Sequence, residues 1–486
     1  MDAEEFRAAG HQLIDWIAAY LEGVEQYPVL SQMQPGEVRA ALPARPPTGV
    51  ESWSDVMTDV ESVIVPGLTH WAHPMFAAYF PANSSYGSVL GEMLATGFGV
   101  NGMLWATSPA ATEVETLVMD WMIDLLGLPA SFLSPVGAAD RGVDADTAKG
   151  GGVIQGTASE GALCALLAAR ERASGGTSNR TGATGRFTAY CTAHSHSSLE
   201  KAAGIAGVGR DMIRKVECDS SFAMLPDALA AAINADRAAG FTPIFVCANV
   251  GSTSSMAIDP VAIIADVCER EGVWLHVDAA MAGIAALCPE YRYVNNGLDR
   301  ADSYSTNPHK WMGVQFDCSL FWVRDRQALL NALSILPEYL KTSAGDAGQV
   351  IDYRDWGIPL GRRFRALKMW TALRLEGVES MQAMIRNHVT FAAAAAEWFS
   401  ADERFEFAAP VHLNLVCVRH VNGDNATDAL INAANKTGRI LLTRTVLDGR
   451  SALRLSIGTR STTAAHARAM TALLGSLSEP VQRRPS

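Results

Sequence analysis

Lys310 stands in Asn307-Pro-His-Lys-Trp311, directly ahead of the apolar run CSLFWV. A lysine is ordinarily a solvated surface residue. Crowded between His309 and Trp311 just past a strand end, it would be desolvated, which favours the neutral amine that can form a Schiff base with an aldehyde. Asp278 follows the apolar run VWLHV in His276-Val-Asp-Ala-Ala280. It could simply cap the residues beyond it. It could also be the anion that keeps a nearby ring nitrogen protonated. Gln155-Gly-Thr-Ala-Ser-Glu-Gly161 is a strand end running into an apolar helix. Small residues and a helix N-terminus there suit a phosphate on Ala158 and Ser159, and Asn307 could add a donor. No Gly-Lys-Ser/Thr follows, so it is not a Walker loop, and strand-turn-helix with Ser or Thr is common. In Ala193-His-Ser-His-Ser-Ser198, His194 and His196 lack a third ligand at metal spacing. A histidine in such a turn is either hydrogen-bonded there or stacked on a planar ring; beside the other three segments, stacking is preferred for His196.

Elements must bring these segments together. Strand candidates fall at 152–156, 187–191, 243–250, 273–277, 302–306 and 318–323, with helices at 159–172, 197–206, 224–239 and 259–271 between several of them. Short apolar strands separated by helices predict an α/β domain with a mainly parallel sheet, whose ligands bind beyond the strands' carboxyl ends. Residues 2–22 read as an amphipathic helix opened by an Asp2/Glu5 capping box, and a second helix is expected over 53–64. These helices cannot bury their own apolar faces, so they need the main domain or a second subunit. The Gly/Ser/Thr-rich stretches 136–152 and 174–185 read as loops. After Gly361 come helices near 362–376 and 379–399, then strands at 411–418, 438–444 and 451–458, a small α+β domain.

The 486 residues are 49% hydrophobic and 19% charged, which supports a large packed core and excludes extensive disorder. A net charge of −12 argues against nucleic acid or an anionic membrane as partner. No apolar run is long enough to span a bilayer, and the acidic start MDAEEFRAAG is unlike a secretory signal. Eight scattered cysteines form no metal or disulfide pattern, so a cytoplasmic location is expected and no metal.

Over essentially its whole length the chain resembles the group II pyridoxal-phosphate (PLP) dependent decarboxylases, specifically the aromatic-L-amino-acid decarboxylases. The stretches that carry the resemblance are THWAHPMFAAYFPANSSY (69–86), WATSPAATEVETLVMDW (105–121), GGGVIQGTASE (150–160), SHSSLEKAAG (195–204), WLHVDAAMAG (274–283), NPHKW (307–311) and DYRDWGIPLGRRFRALKMW (352–370). The resemblance implies a fold type I, PLP-dependent transferase-like large domain with a mainly parallel seven-stranded sheet (86–360). A helical dimerisation segment (1–85) would precede it and a small α+β domain (361–486) follow. It makes Lys310 the Schiff-base lysine, Asp278 the partner of the pyridine nitrogen and His196 the residue on the ring. Ala158, Ser159, Thr253, Ala280, Asn307 and His309 become further cofactor contacts, and Tyr339 the proton donor to the substrate α-carbon. Trp71, Tyr79, Phe80 and Pro81 match the substrate wall, with Asn101, Met103 and Gly361 near the substrate ring and Gly361 leaving room for an indole. Asn101 and Met103 replace bulky apolar residues of the animal enzymes, and Met281 a commoner tyrosine, so the exact substrate stays open among tryptophan, 5-hydroxytryptophan, phenylalanine, tyrosine and DOPA. A homodimer with its site at the subunit boundary is also implied.

Rivals follow from the same residues. In such proteins phenylalanine at position 339 goes with oxidative deamination to an aldehyde, so Tyr339 argues for an amine product. An acidic substrate would need cations that the Trp71/Tyr79/Phe80 wall lacks, and the motifs do not favour a transaminase. A non-catalytic PLP-binding scaffold would be expected to lack Lys310 or Asp278, and both are present.

Overall fold

In the computed structural model, residues 1–144, 148–335, 350–478 and 480 are described. The apolar runs become β1 (Gly151–Gln155), β2 (Phe187–Thr192), β3 (Ile213–Val216), β4 (Thr242–Asn249), β5 (Trp274–Asp278), β6 (Ser303–Thr306) and β7 (Ser319–Val323). They form one seven-stranded sheet in the order β1-β7-β6-β5-β4-β2-β3. β7 is antiparallel to both its neighbours, and the other pairs are parallel. The carboxyl ends of β1 to β6 therefore share one edge. Nearly every residue of β1, β2, β4, β5, β6 and β7 is buried, which is why they read as continuous apolar runs. Helix Ala158–Ala173 packs its buried face (Cys164, Ala165, Leu166, Ala168, Ala169) into the same core as Phe187, Ala189, Phe245, Trp274 and Phe321.

The small sheet contains β8 (Phe405–Phe407), β9 (Leu415–His420), β10 (Thr443–Leu447) and β11 (Arg450–Ser456), antiparallel in the order β10-β11-β9-β8. Part of the N-terminal segment is built into this unit. The Val29 N–H donates to the Gly438 carbonyl at 2.7 Å, Ala77 N–H to Leu441 O at 3.0 Å, and Ser456 N–H to Ala77 O at 3.0 Å. Val29 and Met75–Ala78 share a core with Val416, Val418, Leu453 and Leu455.

The chain thus folds as two compact units: Met1–Pro81 with His388–Ala408 and Asn414–Ser486, and Ala82–Asn387 with Ala409–Leu413. This grouping differs from the three consecutive segments expected from the sequence. The N-terminal segment joins the C-terminal sheet through the bonds above, and helix Arg365–Glu376 joins the large sheet's unit. That helix lies so close to helix Tyr86–Phe98 that a Cβ at Gly91 would stand 2.6 Å from Lys368 Cα. Helix Ala3–Glu22 carries the expected capping box, with Asp2 Oδ1 accepting the Glu4 and Glu5 N–H groups at 2.9 and 2.8 Å. The second N-terminal helix starts at Trp53 and changes winding at Val60. The expected loop over 136–152 contains most of a short helix, Pro135–Asp140, and the start of β1. Among the described residues no helix is long and apolar enough to cross a membrane.

Candidate active site

Each chemistry-bearing segment follows a strand end on the shared edge. β1 leads into Ala158 and Ser159, β2 into His196, β4 into Thr253, β5 ends on Asp278, and β6 leads into Asn307, His309 and Lys310. Asp278 pairs in register with Asn249 on one side and Ser305 on the other. Parallel strands deliver these groups to one edge of the sheet because their connections return through helices.

Lys310 lies in the short helix Pro308–Trp311. Asn83 clamps that helix: its Nδ2 donates to the Lys310 carbonyl at 2.7 Å and its N–H to the His309 carbonyl at 3.0 Å. Asn307 is buried; its N–H donates to Ala280 O at 3.0 Å, and its Oδ1 accepts from Ser319 Oγ at 2.7 Å. That orientation leaves the Asn307 amide nitrogen as the donor. His309 is buried with Nδ1 accepting the Cys318 N–H at 3.0 Å, and burial pushes its pKa down to about 3. It is a neutral imidazole with its proton on Nε2.

Asp278 accepts the Ala280 N–H on Oδ1 at 3.0 Å, which is the turn-capping bond expected of it. His196 accepts the Ser198 N–H on Nδ1 at 3.1 Å. Its pKa is held below the ordinary imidazole value, first by burial, with the Asp278 charge opposing and the Lys310 charge adding to the shift. The ring is nevertheless exposed to solvent. His196, Asp278 and Lys310 are therefore electrostatic neighbours. Helix Ala158–Ala173 begins without a side-chain cap on its N-terminal N–H groups, with Ala158 and Ser159 half-buried. Thr253 is exposed beyond Gly251, whose φ of +85° and tight approach to Ala282 both require glycine.

Asn101 and Gly361 adjoin. Asn101 Oδ1 accepts the Arg362 N–H at 2.9 Å, and a Cβ on Gly361 would stand 3.7 Å from Asn101 Nδ2. Met103 is half-buried, its carbonyl accepting the Arg354 N–H at 3.0 Å. Trp71, Tyr79, Phe80 and Pro81 belong to the other compact unit. There Trp71 and Tyr79 stack at 5.8 Å and stay exposed, Tyr79 at a left-handed φ of 49° rare for a bulky residue. Phe80 and Pro81 are buried, Phe80 under the Arg454 guanidinium at 5.2 Å and Pro81 against Gly458. Tyr339 lies outside the described residues.

Asn83, Ser319, Ser195 and Asn249 were not singled out in the sequence, because a neutral amide or hydroxyl carries no signature of its own. Asn83 did lie inside the matching stretch 69–86. A cavity of about 800 Å³ is lined by Trp105, Asp120, Arg326 and Trp356 among others, and none of the residues around Lys310 lines it. Among the described residues no group of three acidic, His or Cys side chains could hold a metal ion.

Residues 35–421 match the model of the pyridoxal-dependent decarboxylase conserved domain. The chain is 43% identical over 483 residues to tryptophan decarboxylase 2 of Oryza sativa subsp. japonica, covering 98% of this chain and 94% of that one. It is 44% identical over 475 residues to phenylacetaldehyde synthase of Arabidopsis thaliana, covering 96% and 94%. A crystal structure of Oryza sativa TDC with PLP and tryptamine superposes with a TM-score of 0.93 at 38% identity, covering 98% of each chain. The donor set suits pyridoxal phosphate: an uncapped helix N-terminus for the phosphate, a carboxylate at a strand end for the ring nitrogen, an imidazole for the ring face and a lysine for the aldehyde. The chain belongs to the pyridoxal-dependent decarboxylase family.

Proposed function

We propose that the protein decarboxylates aromatic L-amino acids to arylalkylamines and carbon dioxide. The observation that carries this reading is the placement of His196, Asp278 and Lys310 as neighbours on one sheet edge. When bound, pyridoxal phosphate supplies an electron sink for the pair left as the bond to the carboxylate breaks. Lys310 holds the cofactor through its Nζ. Asp278 keeps the proton on the ring nitrogen, and His196 covers one ring face and keeps water off it. The N–H groups at Ala158 and Ser159 and the Asn307 amide hold the phosphate, with Thr253, Ala280 and His309 completing the contacts. Tyr339 delivers the proton to the α-carbon. The exposed, stacked Trp71 and Tyr79 offer a face suited to an aromatic ring.

A second copy completes the assembly. Tyr86, Leu90, Leu94 and Phe98 form one stripe of helix Tyr86–Phe98 and all stay exposed, as do Phe6 and Ile14 on the first helix. A homodimer covers such apolar surface. The cysteines of the chain are free thiols, consistent with a reducing, cytoplasmic setting.

The likeness to a phenylacetaldehyde synthase makes aldehyde formation the second reading. Purified protein with pyridoxal phosphate is incubated with tryptophan, 5-hydroxytryptophan, phenylalanine, tyrosine, DOPA and glutamate, and amine, aldehyde and carbon dioxide are quantified. Amine matching carbon dioxide from aromatic substrates is expected, with Tyr339→Phe diverting product to aldehyde. Aldehyde with ammonia and peroxide from the unaltered protein would transfer the chain to the second reading, and turnover of glutamate alone would reject both.

A further inference from the structure

β4 ends on Asn249, whose neighbour in register on β5 is Asp278. Asn249 is buried, and both N–H bonds of its side chain are directed: one to Ser195 Oγ at 2.7 Å, the other to Asp259 Oδ2 at 3.3 Å. The main chain repeats the tie. Asn249 N–H donates to Asp259 Oδ2 at 2.7 Å, and Asp259 N–H donates back to Asn249 O at 2.9 Å. Asp259 is itself buried, and its other oxygen accepts the Met224 N–H at 2.7 Å. A carboxylate that accepts on both oxygens from fixed N–H groups is an immovable post, and it sets which way the Asn249 amide faces. Ser195 is the residue before His196. Its N–H donates to Thr192 O at 3.3 Å, and its Oγ lies 3.3 Å from Thr192 Oγ1. The turn that carries His196 out of β2 therefore hangs from the end of β4.

We propose that Asn249 and Ser195 are positioning residues for His196, with Asp259 as their anchor. The Asn249–Ser195 bond ties the turn after β2 to the strand end beside Asp278, so the imidazole's position is referred to the same edge as Asp278 and Lys310. The Ser198 N–H on Nδ1 fixes the ring's tautomer, while the Ser195 tie fixes where the ring sits. Nothing here requires Asn249 or Ser195 to touch cofactor or substrate.

This inference rests on His196 facing the bound cofactor, and the test separates the two. Ser195→Ala removes the acceptor while leaving the buried Asn249–Asp259 tie intact, and Ser195→Thr restores a hydroxyl. Holoenzyme is prepared for the wild type, both Ser195 variants, His196→Ala and the double variant His196→Ala/Ser195→Ala. The visible circular dichroism of the bound cofactor, which reports how rigidly its ring is held, is recorded alongside kcat and KM. Ser195→Ala should weaken the dichroic band and lower kcat about 2- to 10-fold, the range of one lost hydrogen bond, with KM little changed. Ser195→Thr should recover both. In the His196→Ala background Ser195→Ala should change neither quantity further. Wild-type dichroism and kcat in Ser195→Ala would overturn the proposal, and so would an undiminished effect of Ser195→Ala in the absence of His196. If His196→Ala itself behaves as wild type, the placement of His196 fails and this inference with it. Asn249→Ala gives the second arm: it should match Ser195→Ala in the dichroic band, and a wild-type band there also counts against the proposal.

Discussion

At Asp278 one carboxylate oxygen accepts the Ala280 N–H, and the proposed function gives the other to the ring nitrogen. Asp278→Asn keeps an oxygen for Ala280 and so keeps the turn, but it removes the charge that holds the proton. Loss of one preorganised electrostatic partner costs about 10²- to 10³-fold in kcat. The expected outcome is that fall in amine production, with the Lys310-bound cofactor still visible by absorbance; unchanged kcat would remove Asp278 from the role given to it. Gly361 allows a second test at this scale. Its missing side chain leaves space bounded by Asn101 Nδ2, 3.7 Å from where a Cβ would be. Gly361→Ser should lower kcat/KM for tryptophan relative to tyrosine by about 10-fold, the usual weight of a small steric change in a pocket. A constant ratio would place the indole elsewhere. Lys310, Asp278 and His196 stand out in the sequence as ionisable residues following apolar strand candidates, and the family resemblance supplies the roles expected of them. Asn249 and Ser195 were not, because their importance lies in partners distant along the chain.

Among the elements, β1 shows how a sheet edge is finished. Among the described residues its outer side has no strand partner, yet three of its outward groups are paired. The Ile154 N–H donates to Glu115 Oε1 at 2.8 Å, Arg362 Nη2 donates to the Ile154 carbonyl at 2.8 Å, and Tyr353 Oη donates to the Gly152 carbonyl at 3.2 Å. Glu115 and Arg362 pair with each other at 2.6 Å, both buried. Side chains thus replace a neighbouring strand on the element that leads into Ala158 and Ser159. Glu115→Ala strands a buried guanidinium and frees the Ile154 N–H. It should destabilise the protein by about 3–5 kcal/mol in urea unfolding, and weaken pyridoxal phosphate binding through the β1 turn. A loss below 1 kcal/mol would show that water replaces the carboxylate there. The sequence pattern gave six of the seven large-sheet strands within a residue or two. It passed over β3, where Arg214 and Lys215 interrupt the apolar pattern, and β8, which is three residues long. The expected strand at 438–444 begins instead at Thr443, because before it only Leu441 pairs, in an isolated bridge with Phe76.

For the whole molecule, the distribution of buried histidines sets the response to acid. His276 and His309 lie in the large-sheet unit, and His73 and His388 in the other. Burial lowers their pKa values to about 4 for His276, His73 and His388 and about 3 for His309. The unfolded chain binds those protons near pH 6.5, so between 6.5 and the folded values it holds more protons than the native state. The stability these groups contribute is complete above pH 6.5 and is lost as pH falls toward 4. Each fully titrating histidine contributes a slope of about 1.4 kcal/mol per pH unit. Asp259 acts in the opposite sense, since burial raises its pKa to about 6. Its contribution is present below its unfolded value and is lost as pH rises through 6, so across the same window it offsets roughly one histidine. The buried histidines outnumber it and have members in both units. Denaturant unfolding between pH 7 and 4.5 should therefore show stability falling steeply below pH 6.5, with both units affected in one window. His276 illustrates the mechanism within the sheet core. Its ring lies between Phe245 and Phe321 with Nδ1 on Ser303 Oγ at 2.9 Å, where a second proton would have no counter-charge in contact. His276→Gln should flatten the pH dependence by about one histidine's share at some cost in stability at pH 7; an unchanged slope would move the acid response to the carboxylates.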